Sequence, residues 1–144
     1  MRQKMKVKYS QIWEEELDEV FIPLFSNYGA TTAFVYFYLR SNSHRNMSGI
    51  YKLPLGYAAI DLKINQDELN EYFQNLISEG VIEYDFETDE VFVKDMLKRN
   101  VYTSNGEPVS VNSSDNRVKN IEGILLRSKS VKLYKSFVKD YQWE

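Results

Sequence analysis

Residues 44–99, HRNMSGIYKLPLGYAAIDLKINQDELNEYFQNLISEGVIEYDFETDEVFVKDMLKR, decide the fold of this 144-residue chain. Gly49 to Leu53 has the pattern of a short extended segment. Pro54 is well placed to open a helix at its first position, and Leu55 to Leu62 continues that helix. Lys63-Ile64 then supplies a turn. The first half of the stretch therefore predicts a strand, a short helix and a turn.

The second half of the stretch predicts a longer helix and a hairpin. Asn65 is a favourable N-cap, with Glu68 three residues on as in a capping box, and Gly80 ends the helix. Residues 82–86 alternate between apolar and acidic, and residues 91–93 form a second apolar run, so the two runs predict a β-hairpin. The apolar residues of the helix recur at helical spacing: Leu69, Phe73, Leu76 and Ile77. This order of elements is typical of a winged helix-turn-helix, a scaffold that most often binds DNA.

Helices are predicted on both sides of this stretch. An amphipathic helix is expected from Ser10 to Phe25, where Pro23 breaks its pattern. Thr31 to Leu39 is nearly continuous in apolar residues, so this helix is expected in the core or against a neighbouring subunit. From Arg117 onward two helices are expected, broken near Ser128. The predicted fold class is α+β, a winged helix-turn-helix with an N-terminal helix and a C-terminal helical extension.

Composition divides the chain into three regions. Residues 1–100 are expected to form the winged-helix domain, which begins with a basic N-terminal arm. Residues 101–116 are expected to form a linker, because they are rich in Asn, Ser, Gly and Pro. Residues 117–144 are expected to form a basic helical extension.

The net charge of −3 hides a strong asymmetry along the chain. Residues 61–96 hold eleven acidic residues against two lysines, whereas residues 1–8 hold four basic residues and no acidic one. Residues 97–144 hold nine basic residues against five acidic ones. Such a pattern indicates separate partners for separate regions, or association between opposite patches.

The predicted second helix of the motif is poorly suited to DNA. Its outward Asn and Gln side chains are able to pair with adenine, but it has no Lys or Arg to neutralise phosphates. We therefore expect DNA contacts at the two basic ends of the chain. The candidates are Lys4, Lys6, Lys8, Arg117, Lys119, Arg127, Lys129, Lys132, Lys135 and Lys139. For the C-terminal candidates the alternatives are docking onto the acidic winged helix of another subunit, and solvation alone.

Protein contacts are expected on two surfaces. The apolar predicted helix carries Phe34, Phe37 and Tyr38, and the acidic predicted helix carries Glu68 and Glu71. Aromatic residues are enriched at protein interfaces, and an acidic helix in this position suits a protein better than DNA. These five residues are the candidate interface of a dimer or larger oligomer.

Catalysis and metal binding lack suitable residues in this sequence. The chain has no cysteine and a single histidine, His44, so a zinc site or a nucleophile–histidine pair is not expected. The six glycines are scattered and form no phosphate-cradling loop. The acidic residues at 85, 87, 89 and 90 lack the glycine and ligand order of a calcium loop. We expect no enzyme activity, no metal and no cofactor.

A cytoplasmic location is expected. The basic N-terminal residues are not followed by the apolar region of a signal peptide, and no segment approaches the roughly 18 apolar residues of a membrane span. No membrane partner is therefore expected.

Several short motifs resemble phage replication proteins with a DnaD-like N-terminal domain. They are Ile12-Trp13, the run from His44 to Leu55, the pair of segments Gly80–Asp85 and Val91–Lys94, and Asn116–Ile121. The resemblance implies a protein of phage-type replication initiation that works as an oligomer with DNA and a helicase-loading partner. Larger members carry a further C-terminal domain, so this chain is expected to be a short member or a fragment. Its residues 102–116 depart from the direct passage between wing and final helices in that family.

Two functions of different class follow as hypotheses. The first is a DNA-binding or replisome-organising module of phage-type replication initiation, which binds DNA non-specifically and in a salt-sensitive manner. The second is a protein–protein interaction module that uses the winged helix for oligomerisation without reading DNA. A winged-helix transcriptional regulator is a third alternative, and it requires the helix from Asn65 to enter the major groove.

Overall fold

The computed structural model describes residues 14–46, 48–94, 96–97 and 116–141. In these residues the chain is α+β, with six helices and one three-stranded antiparallel sheet. The predicted α+β class is confirmed, and the order of elements is compatible with a winged helix. The basic arm, the predicted helix start at Ser10 and most of the linker lie outside the described residues, and the division into three regions stays a prediction.

Helix α1 runs without a break through Pro23. It comprises an α-helical turn (Glu14–Glu16), a π-helical segment (Leu17–Phe21) and a longer α-helical segment (Ile22–Tyr28). The prediction that Pro23 breaks this helix is wrong. In a regular α-helix the proline ring clashes with the carbonyl four residues earlier, and the wider π turn just before Pro23 relieves that clash. The helix ends instead at Gly29, where φ is 96°.

Helix α2 (Ala30–Ser41) is tied to α1 by a buried ion pair. Arg40 Nε lies 2.9 Å from Glu16 Oε2, and the two side chains are 3% and 0% exposed. Tyr36 OH donates a hydrogen bond to the same carboxylate at 3.4 Å. Either charge alone would be buried without compensation, so the pair stabilises the fold only while both partners are present. It therefore fixes how α1 lies against α2.

Strand β1 (Ile50–Lys52) is followed directly by helix α3 (Leu55–Leu62). Pro54 lies one residue before the helix, at the N-cap rather than at the predicted first helical position. Lys63 ends α3 in the left-handed conformation, with φ of 54°, and makes the predicted turn.

Helix α4 (Gln66–Glu79) begins and ends as the sequence predicts. The Asn65 side-chain oxygen accepts a hydrogen bond from the Asp67 N–H at 2.8 Å, which satisfies one of the free amides of the first turn. Gly80 ends the helix with φ of 81°. The buried residues of α4 include Leu69, Phe73 and Leu76.

Strands β2 (Ile82–Asp85) and β3 (Glu90–Val93) form the predicted hairpin. The strand order in the sheet is β1-β3-β2, antiparallel throughout. Phe86 lies in the turn and not in the first strand, where the alternation of residues 82–86 predicted it, and its ring centre is 4.8 Å from that of Tyr84. Asp89, with φ of 57°, gives the turn the left-handed residue that glycine usually supplies.

Strand β3 is buried along its whole length, so the sheet separates two apolar cores. The first core lies between the sheet and helices α1 to α4, and Val91 and Val93 belong to it. The second lies between the sheet and helices α5 (Asn116–Arg127) and α6 (Val131–Tyr141), and Phe92 belongs to it. Other members of the second core are Ile50, Ile121, Leu125, Leu133 and Phe137. The two C-terminal helices therefore form a layer packed against the sheet.

Replacing Gly49 with alanine should destabilise the protein. Gly49 has φ of 86°, and a Cβ there would lie 2.5 Å from the Val93 carbonyl oxygen and 3.2 Å from Met96 Cβ. The left-handed conformation and the steric overlap together should lower the free energy of unfolding by about 2–4 kcal/mol, measured by urea denaturation.

The matched control is Gly123→Ala in helix α5. A Cβ at Gly123 meets no atom within 4 Å. Because alanine favours helix, this variant should raise the free energy of unfolding by about 0.5–1 kcal/mol. Equal stability of the Gly49→Ala variant and the parent protein would contradict the close approach of Gly49 to β3.

Candidate nucleic-acid interface

Acidic residues of the hairpin hold the connection between α5 and α6. Glu90, which is 6% exposed, accepts hydrogen bonds from Ser128 OH at 2.8 Å and from the Lys129 backbone N–H at 3.0 Å. Asp85 accepts a hydrogen bond from Ser130 OH at 2.5 Å. All three donors are neutral groups, so the connection docks on the hairpin without using a cationic side chain.

Ser130 extends this contact into α6. Its hydroxyl accepts the Leu133 N–H at 3.1 Å and so caps the helix. The hydrogen bond that Ser130 donates lowers the pKa of Asp85, and the nearby Lys132 ammonium acts in the same direction. The Asp85 carboxylate therefore stabilises the folded state above its ordinary pKa, and this stabilisation is lost as the pH falls through the lowered value.

A groove of about 480 Å³ opens beside β1, at the edge of the sheet. The loop before β1 and the strand itself contribute His44 and Lys52 to its lining. The end of α5 and the connection that follows contribute Arg127 and Lys129. Thr88 of the hairpin turn also lines the groove. The groove thus exists only where the C-terminal helices meet the sheet.

Positive charge dominates the groove. The side chains of Lys52, Arg127 and Lys129 are exposed and line it. Among the described residues that line the groove, Glu90 is the one acidic residue, and both of its oxygens already accept hydrogen bonds. Thr88 Oγ1 is buried and has no hydrogen-bond partner within the described residues. The three exposed cationic side chains suit an anionic ligand with several oxygen acceptors.

The backbone of β1 adds a further donor on this side. Lys52 pairs with Glu90 across the β1–β3 ladder, and the next residue, Leu53, donates its N–H to the Asp89 carbonyl at 2.8 Å. Hydrogen bonding alternates along an antiparallel strand, so the N–H of Lys52 points away from β3 and out of the sheet edge.

The predicted DNA-binding residues fall into separate groups. Arg127 and Lys129 lie together in the groove. Lys119 is exposed on α5. Lys132, Lys135 and Lys139 are exposed on α6, and the Lys132 ammonium donates to the Tyr84 carbonyl of β2 at 3.3 Å. Lys4, Lys6 and Lys8 lie outside the described residues, as does the side chain of Arg117.

Lys52 and His44 were not predicted as site residues. Residues 41–60 contain two basic residues, Arg45 and Lys52, and no acidic one, and this local positive charge is the one signal in the sequence. Their place in a site depends on α5 packing beside β1, and no local pattern in residues 41–60 indicates that packing. The wall of the groove that His44 and Lys52 form therefore lies outside the predicted site.

Helix α4 presents an acidic surface. Glu68 and Glu71, two of the predicted interface residues, are exposed on it, as are Asp67 and Glu79. No basic residue occurs in this helix. At the position where a winged helix would read DNA, the surface charge is therefore negative.

The other predicted interface residues separate into two environments. Phe34 and Phe37 are 56% and 39% exposed and line an apolar groove of about 260 Å³ together with Leu17 and Phe21. Tyr38 is not in that groove, and its OH donates to Asp61 Oδ2 at 2.6 Å. Burial and the Asp61 carboxylate raise the pKa of Tyr38.

Neither a metal site nor a membrane span is found among the residues that the structure describes. None of them form a group of three or more His, Asp or Glu side chains arranged to hold an ion. None of the helices in this part of the chain has the length and apolar character to cross a membrane. No family model matches the chain, and no curated protein or solved structure is significantly similar to it.

Replacing Glu90 with alanine should loosen the C-terminal helices while leaving α4 in place. The change removes the acceptor of the Ser128 hydroxyl and the Lys129 amide. Amide hydrogen exchange in residues 121–137 should then accelerate by about 10- to 100-fold, since hydrogen bonds to a buried charge contribute about 1.5–3 kcal/mol.

Glu87→Ala is the control for this prediction. Glu87 is an exposed glutamate in the turn of the same hairpin, three residues before Glu90. Its removal should leave the exchange rates of α5 and α6 unchanged. Equal acceleration in both variants would mean that general charge loss, and not the Glu90 hydrogen bonds, controls the docking.

Proposed function

We propose that this protein is a DNA-binding or replisome-organising module of phage-type replication initiation, built on a winged helix and acting as an oligomer. The observation that carries the proposal is the cationic groove beside β1, together with the basic α6 surface formed by Lys132, Lys135 and Lys139. The short motifs that resemble DnaD-like replication proteins support the same function and suggest a helicase-loading partner. The proposed role is binding and not catalysis.

Binding in this proposal acts through phosphate neutralisation. Exposed lysine and arginine side chains on α5, α6 and β1 replace the counterions of the phosphate backbone, which gives affinity without sequence specificity. Glu90 and Asp85, which would repel phosphates, are already engaged by hydroxyl and amide donors of the chain. The basic surface therefore faces DNA while the acidic hairpin is partly covered.

The acidic face of α4 argues against a winged-helix transcriptional regulator. A regulator of that class would place α4 in the major groove, where phosphates lie on both sides. Asp67, Glu68 and Glu71 are exposed on this helix, and each would meet that negative field unpaired. We therefore propose that DNA binds the basic C-terminal surface and that α4 faces a protein partner or solvent.

Charge reversal of Lys132, Lys135 and Lys139 to glutamate should abolish most DNA binding. Because the change removes three side chains that neutralise phosphates, affinity at about 50 mM salt should fall by about 100-fold, and the salt dependence should flatten by about 2–3 in log–log slope. Fluorescence anisotropy with labelled DNA at several salt concentrations measures both quantities.

A single-site pair controls for long-range charge. Lys63→Glu, on the turn between α3 and α4, changes the net charge by the same amount as Lys135→Glu. Only Lys135→Glu should weaken binding by more than about two-fold at salt where distant charges are screened. Unchanged affinity of the triple variant at low salt would refute DNA binding through α6.

A second candidate function, a self-association module, is favoured by the apolar groove between α1 and α2. Leu17, Phe34 and Phe37 are large apolar side chains that remain exposed beside one another, which is unusual for a surface facing water. We propose that a second copy of the chain covers this surface, which would supply the oligomer that the proposed function includes. This candidate is compatible with DNA binding, since the apolar groove and the cationic groove share none of their described lining residues.

Replacing Phe34 with aspartate should convert the oligomer to a monomer, because a buried uncompensated charge at the contact is strongly unfavourable. Light scattering after gel filtration gives the mass directly. Ile60→Asp, at an apolar residue of α3 that is 74% exposed but outside the apolar groove, is the control and should leave the mass unchanged. A parent protein that stays monomeric at all concentrations would exclude this candidate.

A further inference from the structure

We infer that the cationic groove beside β1 takes a single-stranded segment of nucleic acid in preference to a duplex. The inference rests on the proposed function and names the form of nucleic acid that the groove accepts. It follows from the size of the groove, the chemistry of its lining and the charge of the neighbouring elements.

The size of the groove suits one or two nucleotides. Its volume of about 480 Å³ is that of a small-molecule site, and it is enclosed on two sides by β1 and by the end of α5. A duplex is a stiff cylinder, and proteins read it by inserting helices or ribbons into its grooves. Only a phosphate of a duplex could therefore enter a recess of this size. A flexible single strand can place phosphate, sugar and base in it together.

The lining combines positive charge with apolar and planar surface. Ile124, which is half-buried, lines the groove alongside Lys52 and Arg127, and the exposed His44 contributes a planar ring to the lining. Bases of a duplex are paired and stacked, so their faces are not accessible to such groups. Bases of a single strand are accessible, and proteins that bind single strands pair a basic channel with surfaces on which bases stack.

Elements that would grip a duplex are negatively charged here. Helix α4, on the opposite face of the sheet, exposes Asp67, Glu68 and Glu71 and offers a duplex no cationic contact, and Glu87 is exposed in the hairpin turn next to Thr88 of the groove. A duplex extends over a wider area than a single strand, so a duplex lying across the groove would also meet the Glu87 carboxylate of the hairpin turn. Repulsion therefore penalises the duplex more than the single strand.

The experiment compares two double variants of equal charge. Lys52→Glu with Arg127→Glu alters the groove, and Lys135→Glu with Lys139→Glu alters the charge of the α6 surface by the same amount. Anisotropy titrations use a thymidine oligonucleotide of about 12 residues and a duplex of the same length, at salt of about 50 and 200 mM. The ratio of the two affinities is the readout, because a general loss of positive charge lowers both affinities and lowers the duplex affinity slightly more, so it cannot by itself abolish a preference for the single strand.

The parent protein should bind the oligonucleotide about ten-fold more tightly than the duplex, as expected if stacking adds to phosphate contact. The groove variant should lose this preference, and the α6 variant should weaken both ligands while keeping it. The double variant Lys52→Gln with Arg127→Gln introduces no new negative charge and should also lose the preference for the single strand. It controls for a folding defect in the charge-reversal variant.

Equal or tighter duplex binding by the parent would overturn the single-strand inference and leave the proposed function standing. The same would follow if the two reversal variants changed the affinity ratio equally. Failure of the parent to bind either ligand at the lower salt would overturn the proposed function, and the inference with it.

Discussion

The structure depends on strand β3, which is buried on both faces and paired on both edges. Its neighbours β1 and β2 lie on either side, and its alternate residues contact two different cores. Val91 and Val93 pack into the core between the sheet and α1 to α4, whereas Phe92 packs into the core between the sheet and α5 and α6. One short strand thus joins both layers, so a change in the register of β3 would expose both apolar surfaces at once.

The acidic residues in the middle of the chain fall into two groups, one bonded within the chain and one exposed. Asp85 and Glu90 accept hydrogen bonds from the connection between α5 and α6, so part of the acidic region is used within the chain. The C-terminal segment thus docks onto the acidic hairpin of its own chain, and electrostatic docking onto the winged helix of another subunit stays a prediction. The acidic residues of α4 remain exposed. Because the donors to Asp85 and Glu90 are hydroxyl and amide groups, the exposed side chains of Arg127, Lys129, Lys135 and Lys139 stay accessible to another partner, whereas Lys132 also donates to the Tyr84 carbonyl.

Local signals predicted the elements well and their packing poorly. The Asn65 cap, the Gly80 terminus and the helical spacing of α4 act over a few residues, so the sequence displays them directly. The predicted break at Pro23 is wrong because a π turn accommodates the proline without ending the helix. No residue pattern in the sequence indicates that π turn. Packing of α5 and α6 on the sheet had one usable signal: the continuous apolar run Val91-Phe92-Val93 indicates a strand buried on both faces.

The sequence predicts only one of the two walls of the candidate site, because the walls come from distant parts of the chain. Arg127 and Lys129 stood out in a basic segment, whereas Lys52 is a lone lysine on a three-residue edge strand. Only the second core, in which Ile50 meets the C-terminal helices, brings these residues together. A ligand that bridges both walls binds the docked arrangement alone, so its binding free energy also stabilises the packing of α5 and α6 on the sheet. In the proposed function, nucleic-acid binding and the order of the C-terminal helices are therefore coupled through Glu90, the residue at the meeting point of strand, connection and groove.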